Sequence, residues 1–218
     1  MTLIDQSCFW DEDSAVRVLV ATRWPRGVQC PCCGELGRVK PIAGKTTASG
    51  SFKCYACKRR FSVRTGSLAE GSHIPLSRWL RAILVVACAG RPFGCKHLEE
   101  ACDVAPRIAR ALRQKLLLCL QAPQDPPGMA LDDLPVGLLL GDSEVAHEFE
   151  PFQDVCRALG IPSEDQAMTF LTAVRRVIAS PPSTSAVAAS GGSGDVDLGN
   201  PAETREARRA APPVAHWM

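Results

Sequence analysis

The chain has 218 residues, 46% hydrophobic and only 6% aromatic, with 17 glycines and 17 prolines; that builds one or two small domains plus linker or tail and excludes a large enzyme fold with appendages. Its formal charge of +2 hides a division, since residues 1–121 hold 19 Lys/Arg against 9 Asp/Glu and residues 122–218 hold 6 against 14. A basic half with a balance of +10 suits a polyanion, whose phosphates release condensed counterions when neutralised, and an acidic half with a balance of −8 suits a basic partner or the basic half itself.

At the N-terminus, Asp5, Asp11, Glu12 and Asp13 stand where a secretory leader would be basic, and the longest apolar run, Ala82–Ala89, is too short to span a bilayer. A reducing cytoplasmic setting is expected, in which paired cysteines among the eleven are metal ligands more often than disulfides. Residues 11–23 read as a helix. Its first turn is acidic, as the positive end of a helix dipole favours. Val16, Leu19 and Val20 share an apolar stripe, and Trp24-Pro25 ends it because the residue before proline avoids helical angles.

Residues 26–66 are rich in glycine, with short β-prone pieces at Ser51-Phe52-Lys53 and Arg60–Val63. Here Cys30-Pro-Cys-Cys33 and Cys54-Tyr-Ala-Cys57 form two Cys-x2-Cys pairs separated by twenty residues. Each pair can sit on a knuckle turn that aims both sulfurs at one ion, and two knuckles complete a closed tetrahedron. Cys30, Cys33, Cys54 and Cys57 are therefore the expected ligands of one structural Zn²⁺, with no open position for catalysis. Cys32 competes with Cys33, but only Cys33 gives the knuckle spacing and precedes a glycine. The remaining cysteines, Cys8, Cys32, Cys88, Cys95, Cys102, Cys119 and Cys156, read as small buried hydrophobes. Lys53, Lys58, Arg59 and Arg60 lie close enough to the second knuckle to offset the negative charge of four thiolates around one Zn²⁺.

From Leu76 the period becomes helical. Pro75 reads as a first helical residue, and Leu76, Leu80, Ile83, Leu84 and Ala87 mark a helix ending before Gly90. A short helix over Lys96–Cys102, a turn at Asp103–Ala105 and a longer helix from Pro106 to Gln121 then give a helix-turn-helix pattern. On a helical wheel Ile108, Leu112, Leu116 and Cys119 fall on one side of the last helix. Arg107, Arg110, Arg113 and Gln114 fall on the other, the face expected to stay in solvent and reach the major groove, where arginine reads guanine bidentately. With Lys58, Arg59, Arg60 and Lys96 they form the candidate DNA-binding set.

Residues 122–131 read as a linker beginning with the stretch Ala122–Gly128. Residues 132–180 read as a small helical module. Pro151 and Gly160 bracket one helix with Phe152, Val155, Cys156 and Leu159 on a face, and Ser163 with Gln166 forms a capping box for another that carries Ala167, Leu171, Val174 and Ile178. These stripes are expected to pack on Leu116, Leu117 and Leu118 or to pair with a second chain or a protein partner. Residues 181–218, poor in apolar side chains, read as a disordered tail.

The strings Phe9–Asp11, Arg23-Trp24-Pro25-Arg26-Gly27, Cys30-Pro31-Cys32-Cys33-Gly34, Cys54–Cys57, Arg60–Ser67, Glu70-Gly71-Ser72, Pro75-Leu76 and Trp79-Leu80 resemble the transposase zinc-ribbon family. That family forms the N-terminal DNA-binding part of a group of bacterial insertion-sequence transposases, and the resemblance covers roughly residues 9–119. It implies the same four zinc ligands and a helix-turn-helix that binds element ends. In such transposases an RNase-H-like domain with an acidic triad follows; Asp132, Asp133, Asp142, Glu148 and Glu150 do not lie on a succession of apolar strands and read as a solvated acidic surface.

The fold class expected is small α+β: a zinc ribbon with short β-strands and a flanking helix over 9–68, a helix-turn-helix over 75–121, the linker, a small all-α module and the tail. The function expected is that of a non-catalytic DNA-binding protein derived from a transposase, acting on double-stranded DNA as a bacterial, nucleoid-associated transcriptional regulator. Two alternatives remain: a truncated transposase or transposition accessory protein, and a ribbon adaptor that contacts protein.

Overall fold

The structure is a computed structural model that describes residues 3–42, 44, 49–121, 150–161 and 166–179. All of them lie in one unit, Met1–Ser183.

Two short 3-10 turns, Leu3–Asp5 and Ser7–Phe9, lead into α1, Glu12–Arg23. Asp11 caps α1 by accepting a hydrogen bond from the Ser14 amide at 2.7 Å, which satisfies one orphan donor of the first turn. Hydrogen bonding to Ser14 holds the Asp11 carboxyl below its usual pKa. Three short strands follow, β1 (Val39–Pro41), β2 (Ser51–Cys54) and β3 (Arg60–Ser62), in an antiparallel sheet of order β1-β2-β3. The helices α2 (Leu76–Cys88), α3 (Cys95–Cys102) and α4 (Pro106–Gln121) complete the basic half. Two more, α5 (Glu150–Ala158) and α6 (Ala167–Ala179), lie in the acidic half. The architecture is the small α+β class expected.

The first turn of α2 is capped from a distance. Pro75 precedes the helix with an extended ψ of 145° instead of opening it, and it supplies no side-chain cap. The carboxylate of Glu12, on α1, accepts from the Leu76 and Ser77 amides at 2.8 and 3.1 Å and lies 3.5 Å from Arg64. One side chain thus ties α1, the segment after β3 and α2 together. Arg23 makes a second tie: its guanidinium donates to the carbonyls of Val63 and Thr65, both at 2.6 Å, and lies 4.7 Å over the Trp24 ring. Burial lowers its pKa to about 10. The Arg-Thr-Gly-Ser string of the sequence is therefore an anchoring turn.

The helical core is one cluster running from Leu3 to Ile178. Phe9 is its centre, with its ring 5.4 Å from both Phe152 of α5 and Phe170 of α6; all three are fully buried. Arg81 of α2 is buried beside them. Its Nε donates to the Phe9 carbonyl at 2.6 Å, and its guanidinium lies 4.7 Å over the Trp10 ring. Main-chain bonds join the halves as well: the Leu68 amide donates to Val177, and the Gly90 amide to Leu159, both at 3.1 Å.

The helices α5 and α6 share this core with the helices of the basic half. α6 packs on α1, α2 and α4, and α5 packs on α3, because Phe9 and its neighbours present more apolar surface than α1 to α4 can cover. α1 in turn belongs to this core through Ala15, Val16, Val18 and Leu19, and it meets the ribbon through Val20 and Trp24. Of the leucine cluster, Leu116 is buried, Leu117 and Leu120 line an open groove of about 530 Å³ with Met168 and Arg176, and Leu118 is exposed. The expected linker at 122–131, the capping residue Ser163 and the tail at 181–218 lie outside the described residues, as do Asp132, Asp133, Asp142 and Glu148.

Candidate metal centre and nucleic-acid interface

The ribbon has a small core of its own, separate from the helical one. Phe52 and Phe61, opposite each other on β2 and β3, stack at 5.6 Å, and Trp24 meets both edge-on at 5.8 and 5.9 Å. Cys30 and Cys54 are buried against them, while Cys33 is exposed and Cys57 half-buried.

The two knuckles repeat one conformation. The Cys30 amide donates to the carbonyl of Glu35, and the Cys54 amide to that of Arg59, each five residues on and each at 2.9 Å. The residue after each second cysteine has left-handed angles, Gly34 with φ 74° and Lys58 with φ 64°. Glycine adopts that conformation without strain and lysine does not. A third left-handed position, Gly50 with φ 73°, turns the chain against α1 so closely that a Cβ there would stand 2.8 Å from Val16.

The four sulfurs all lie within 4.8 Å of one another, with Cys30–Cys57 at 3.7 Å and Cys33–Cys54 at 3.6 Å. A tetrahedron with Zn–S bonds of about 2.3 Å has edges of about 3.8 Å, so the set fits Zn²⁺. The chemistry agrees. A hydrogen bond from the Glu35 backbone favours the thiolate of Cys33, but desolvation and the three neighbouring thiols prevail and raise its pKa to about 12. Four thiols this close cannot all ionise without a cation between them. Cys32 is exposed and outside the set, which decides between it and Cys33. The site is that of one structural zinc, held by Cys30, Cys33, Cys54 and Cys57.

With the knuckles, the sheet and the zinc site in place, the chain can be compared with known families. Residues 10–60 match the transposase zinc-ribbon domain. A relative described as an uncharacterized protein in transposable element ISH50 of Halobacterium salinarum is 27% identical over 116 residues, which are 53% of this chain and 38% of the relative. The chain thus spans well under half of that relative's length. No solved structure matches the chain.

The other cysteines divide. Cys8, Cys88, Cys102 and Cys156 are buried, and desolvation pushes each up to about 12, so they are un-ionised packing groups. Cys32 is exposed and Cys95 and Cys119 are half-buried, contrary to the expectation for all seven.

The candidate DNA-binding residues fall on two surfaces. Lys58, Arg59 and Arg60 are exposed on the second knuckle and at the start of β3. Lys96 is exposed on α3, and Arg107, Arg110 and Gln114 are exposed on α4. Arg113 departs from this set. It is half-buried with its guanidinium 5.5 Å from the Phe93 ring, and its Nε is buried without a hydrogen-bond partner. The inner face of α4 is also shifted. Ala109, Leu112 and Leu116 are buried and Ile108 is 38% exposed, because the small Ala109 is what faces the core. α3 is held against α2 by Arg78, whose guanidinium grips Asp103 at both its carbonyl (2.6 Å) and its carboxylate (2.8 Å) in the turn before α4.

Strand register adds residues that the sequence pattern alone leaves out of this set. Lys40 of β1 stands directly opposite Lys53 of β2, and Lys53 opposite Arg60 of β3. The signal is present as alternation: Val39-Lys40-Pro41, Phe52-Lys53-Cys54 and Arg60-Phe61 each place a cation out of phase with the apolar residues of its strand. Register, which brings the three cations together, is not readable from one strand at a time.

Proposed function

We propose that this chain is a DNA-binding protein of transposase descent, in which the ribbon and the α3–turn–α4 pair, used as a helix-turn-helix, attach to double-stranded DNA. The observation that carries the reading is α4 itself. Its inner face, Ala109, Leu112 and Leu116, is buried, and its outer face presents Arg107, Arg110 and Gln114 to solvent near the helix start. That arrangement suits a recognition helix, with arginine and glutamine available for base edges. The basic ribbon and the relative from a transposable element support it. No helix among the described residues is long and apolar enough to cross a membrane.

The regulatory role, in the bacterial nucleoid and without catalysis by this chain, belongs to the same proposal. Binding to a random pool of duplexes, followed by enrichment and sequencing, tests the first part. Arg107→Gln with Arg110→Gln should weaken binding to the enriched site by about 1–3 kcal/mol for each arginine that reads a base. A pool that returns no enriched sequence removes the regulator reading. Metal-dependent nicking or joining of DNA by the purified chain would replace it with the transposase reading.

A further inference from the structure

We propose that the outward face of the ribbon sheet, the row Lys40–Lys53–Arg60, is a docking surface for the phosphate backbone of duplex DNA that reads no sequence. The inference rests on the DNA-binding reading and adds to it the residues that hold the backbone. The first argument is cost. Neighbouring strands lie about 4.8 Å apart, and like charges directly opposite each other destabilise a sheet. Here two such pairs share Lys53 in a sheet whose core is only a few side chains deep. The second is the absence of compensation: none of the three cations is in an ion pair among the described residues, and the Lys53 ammonium has only the Tyr55 ring, at 5.3 Å. The third is the sheet's other face. Phe52 and Phe61 with Trp24 already fill it, so the row stands outside the ribbon's apolar core.

The chemistry of the row selects its occupant. Lysine ammoniums act as point charges toward phosphate, whereas base reading calls for bidentate side chains on an element that enters a groove. Single-stranded nucleic acid is recognised on successive exposed aromatics. This face offers one, Tyr55, and Lys53 already lies over its ring. Exposed Lys58 and Arg59 continue the positive surface past the second knuckle.

A structural rival for the row is neutralisation of the zinc–thiolate charge, and the test separates the two. Full-length, zinc-loaded protein carrying Lys40→Gln, Lys53→Gln and Arg60→Gln together is compared with wild type. A control carries Arg17→Gln, Arg91→Gln and Arg157→Gln, which removes equal charge from exposed positions outside the sheet. Binding to two unrelated duplexes is followed across salt concentration, zinc retention against a chelator, and the thermal midpoint by circular dichroism. The row variant should lose affinity equally for both duplexes and lower the salt slope by about 2–3, at about 0.9 per phosphate neutralised, with zinc retention unchanged and the midpoint unchanged or higher. A slope equal to the control's overturns the docking surface while leaving DNA binding intact. Faster zinc loss from the row variant overturns it in favour of charge neutralisation. Wild type that binds neither duplex overturns this inference and the reading beneath it together.

Discussion

The ribbon core gathers Cys30, Phe52, Cys54 and Phe61 under Trp24, while the helical core runs through α1 to α6 and includes three fully buried phenylalanines within one cluster. The first is too thin to offset the entropy of ordering about forty residues, so the metal must supply the difference. The second has apolar material in excess and recruits it from both ends of the chain, from Leu3 to Ile178. Two folding problems are thus solved in one unit by different means, and they meet at α1, through Val20 and Trp24.

The sharpest way to break this comparison is to remove the zinc. Apparent zinc-binding free energies for such sites run to about 10–16 kcal/mol, so Cys54→Ser should lose the metal and the ordered ribbon while the helices persist. Zinc content by mass spectrometry, helical circular dichroism and amide exchange in 26–66 against 76–121 would show it. Simultaneous loss of the helical signal would mean that the two cores fold as one. Cys32→Ser should change nothing, since Cys32 is exposed and outside the sulfur cluster.

The next largest effect comes from the other core. Phe152 is fully buried, with Phe9 at 5.4 Å and Trp10 at 5.3 Å, so Phe152→Ala should cost about 3–5 kcal/mol in denaturant unfolding. Zinc should be retained at the ribbon. A fragment ending at Gln121 should likewise keep zinc but lose cooperative helical unfolding, because Phe9 would be without both Phe152 and Phe170. A fragment that unfolds with the stability of the full chain would show that the helices before Gln121 hold their core without α5 and α6.

These tests bear on what was legible in the sequence. The zinc ligands were, because knuckle spacing is local and the four cysteines need no tertiary information to be paired. Both ends of α1, the end of α2 and the start of α4 were too, since acidic caps, prolines and glycines act within a turn. What escaped was everything that depends on where distant segments meet. Ile108 occupies a place on the wheel that its helix could bury, but the approach of the core selected Ala109. Arg113 reads as a solvent-facing cation and instead lies against Phe93, twenty residues away. The apolar stripes of α5 and α6 were visible, yet no local signal said that Phe9 would lie between them.

A smaller effect tests the tie among α1, the segment after β3 and α2. Glu12 accepts two main-chain hydrogen bonds at the start of α2 and pairs with Arg64 after β3. Glu12→Gln keeps one acceptor oxygen but loses the charge, and should cost about 1–2 kcal/mol, in the range of a lost helix cap. Amide exchange should rise first at Leu76 and Ser77. Protection unchanged there would mean that packing of α2 alone holds its first turn.

The smallest effect lies inside the ribbon, where the two knuckles differ at one position. Gly34 and Lys58 take the same left-handed turn after the second cysteine of each pair, but only the lysine carries a Cβ. A residue with a Cβ in that conformation costs about 1–2 kcal/mol, whereas glycine costs about 0.4–1 kcal/mol through the greater freedom of the unfolded chain. Lys58→Gly should therefore stabilise the ribbon by up to about 1 kcal/mol, read as slower zinc release to a chelator, while removing one exposed cation from the candidate DNA-binding set. Lys58→Gln separates the two effects, because glutamine lacks the charge but keeps the Cβ in the strained left-handed conformation. If both variants retain zinc at least as well as wild type and bind DNA more weakly, the lysine is kept at a strained position for its charge toward DNA. If both release zinc faster, its charge serves the thiolates, and the second knuckle depends on its neighbour in a way that the first, closed by Gly34, does not.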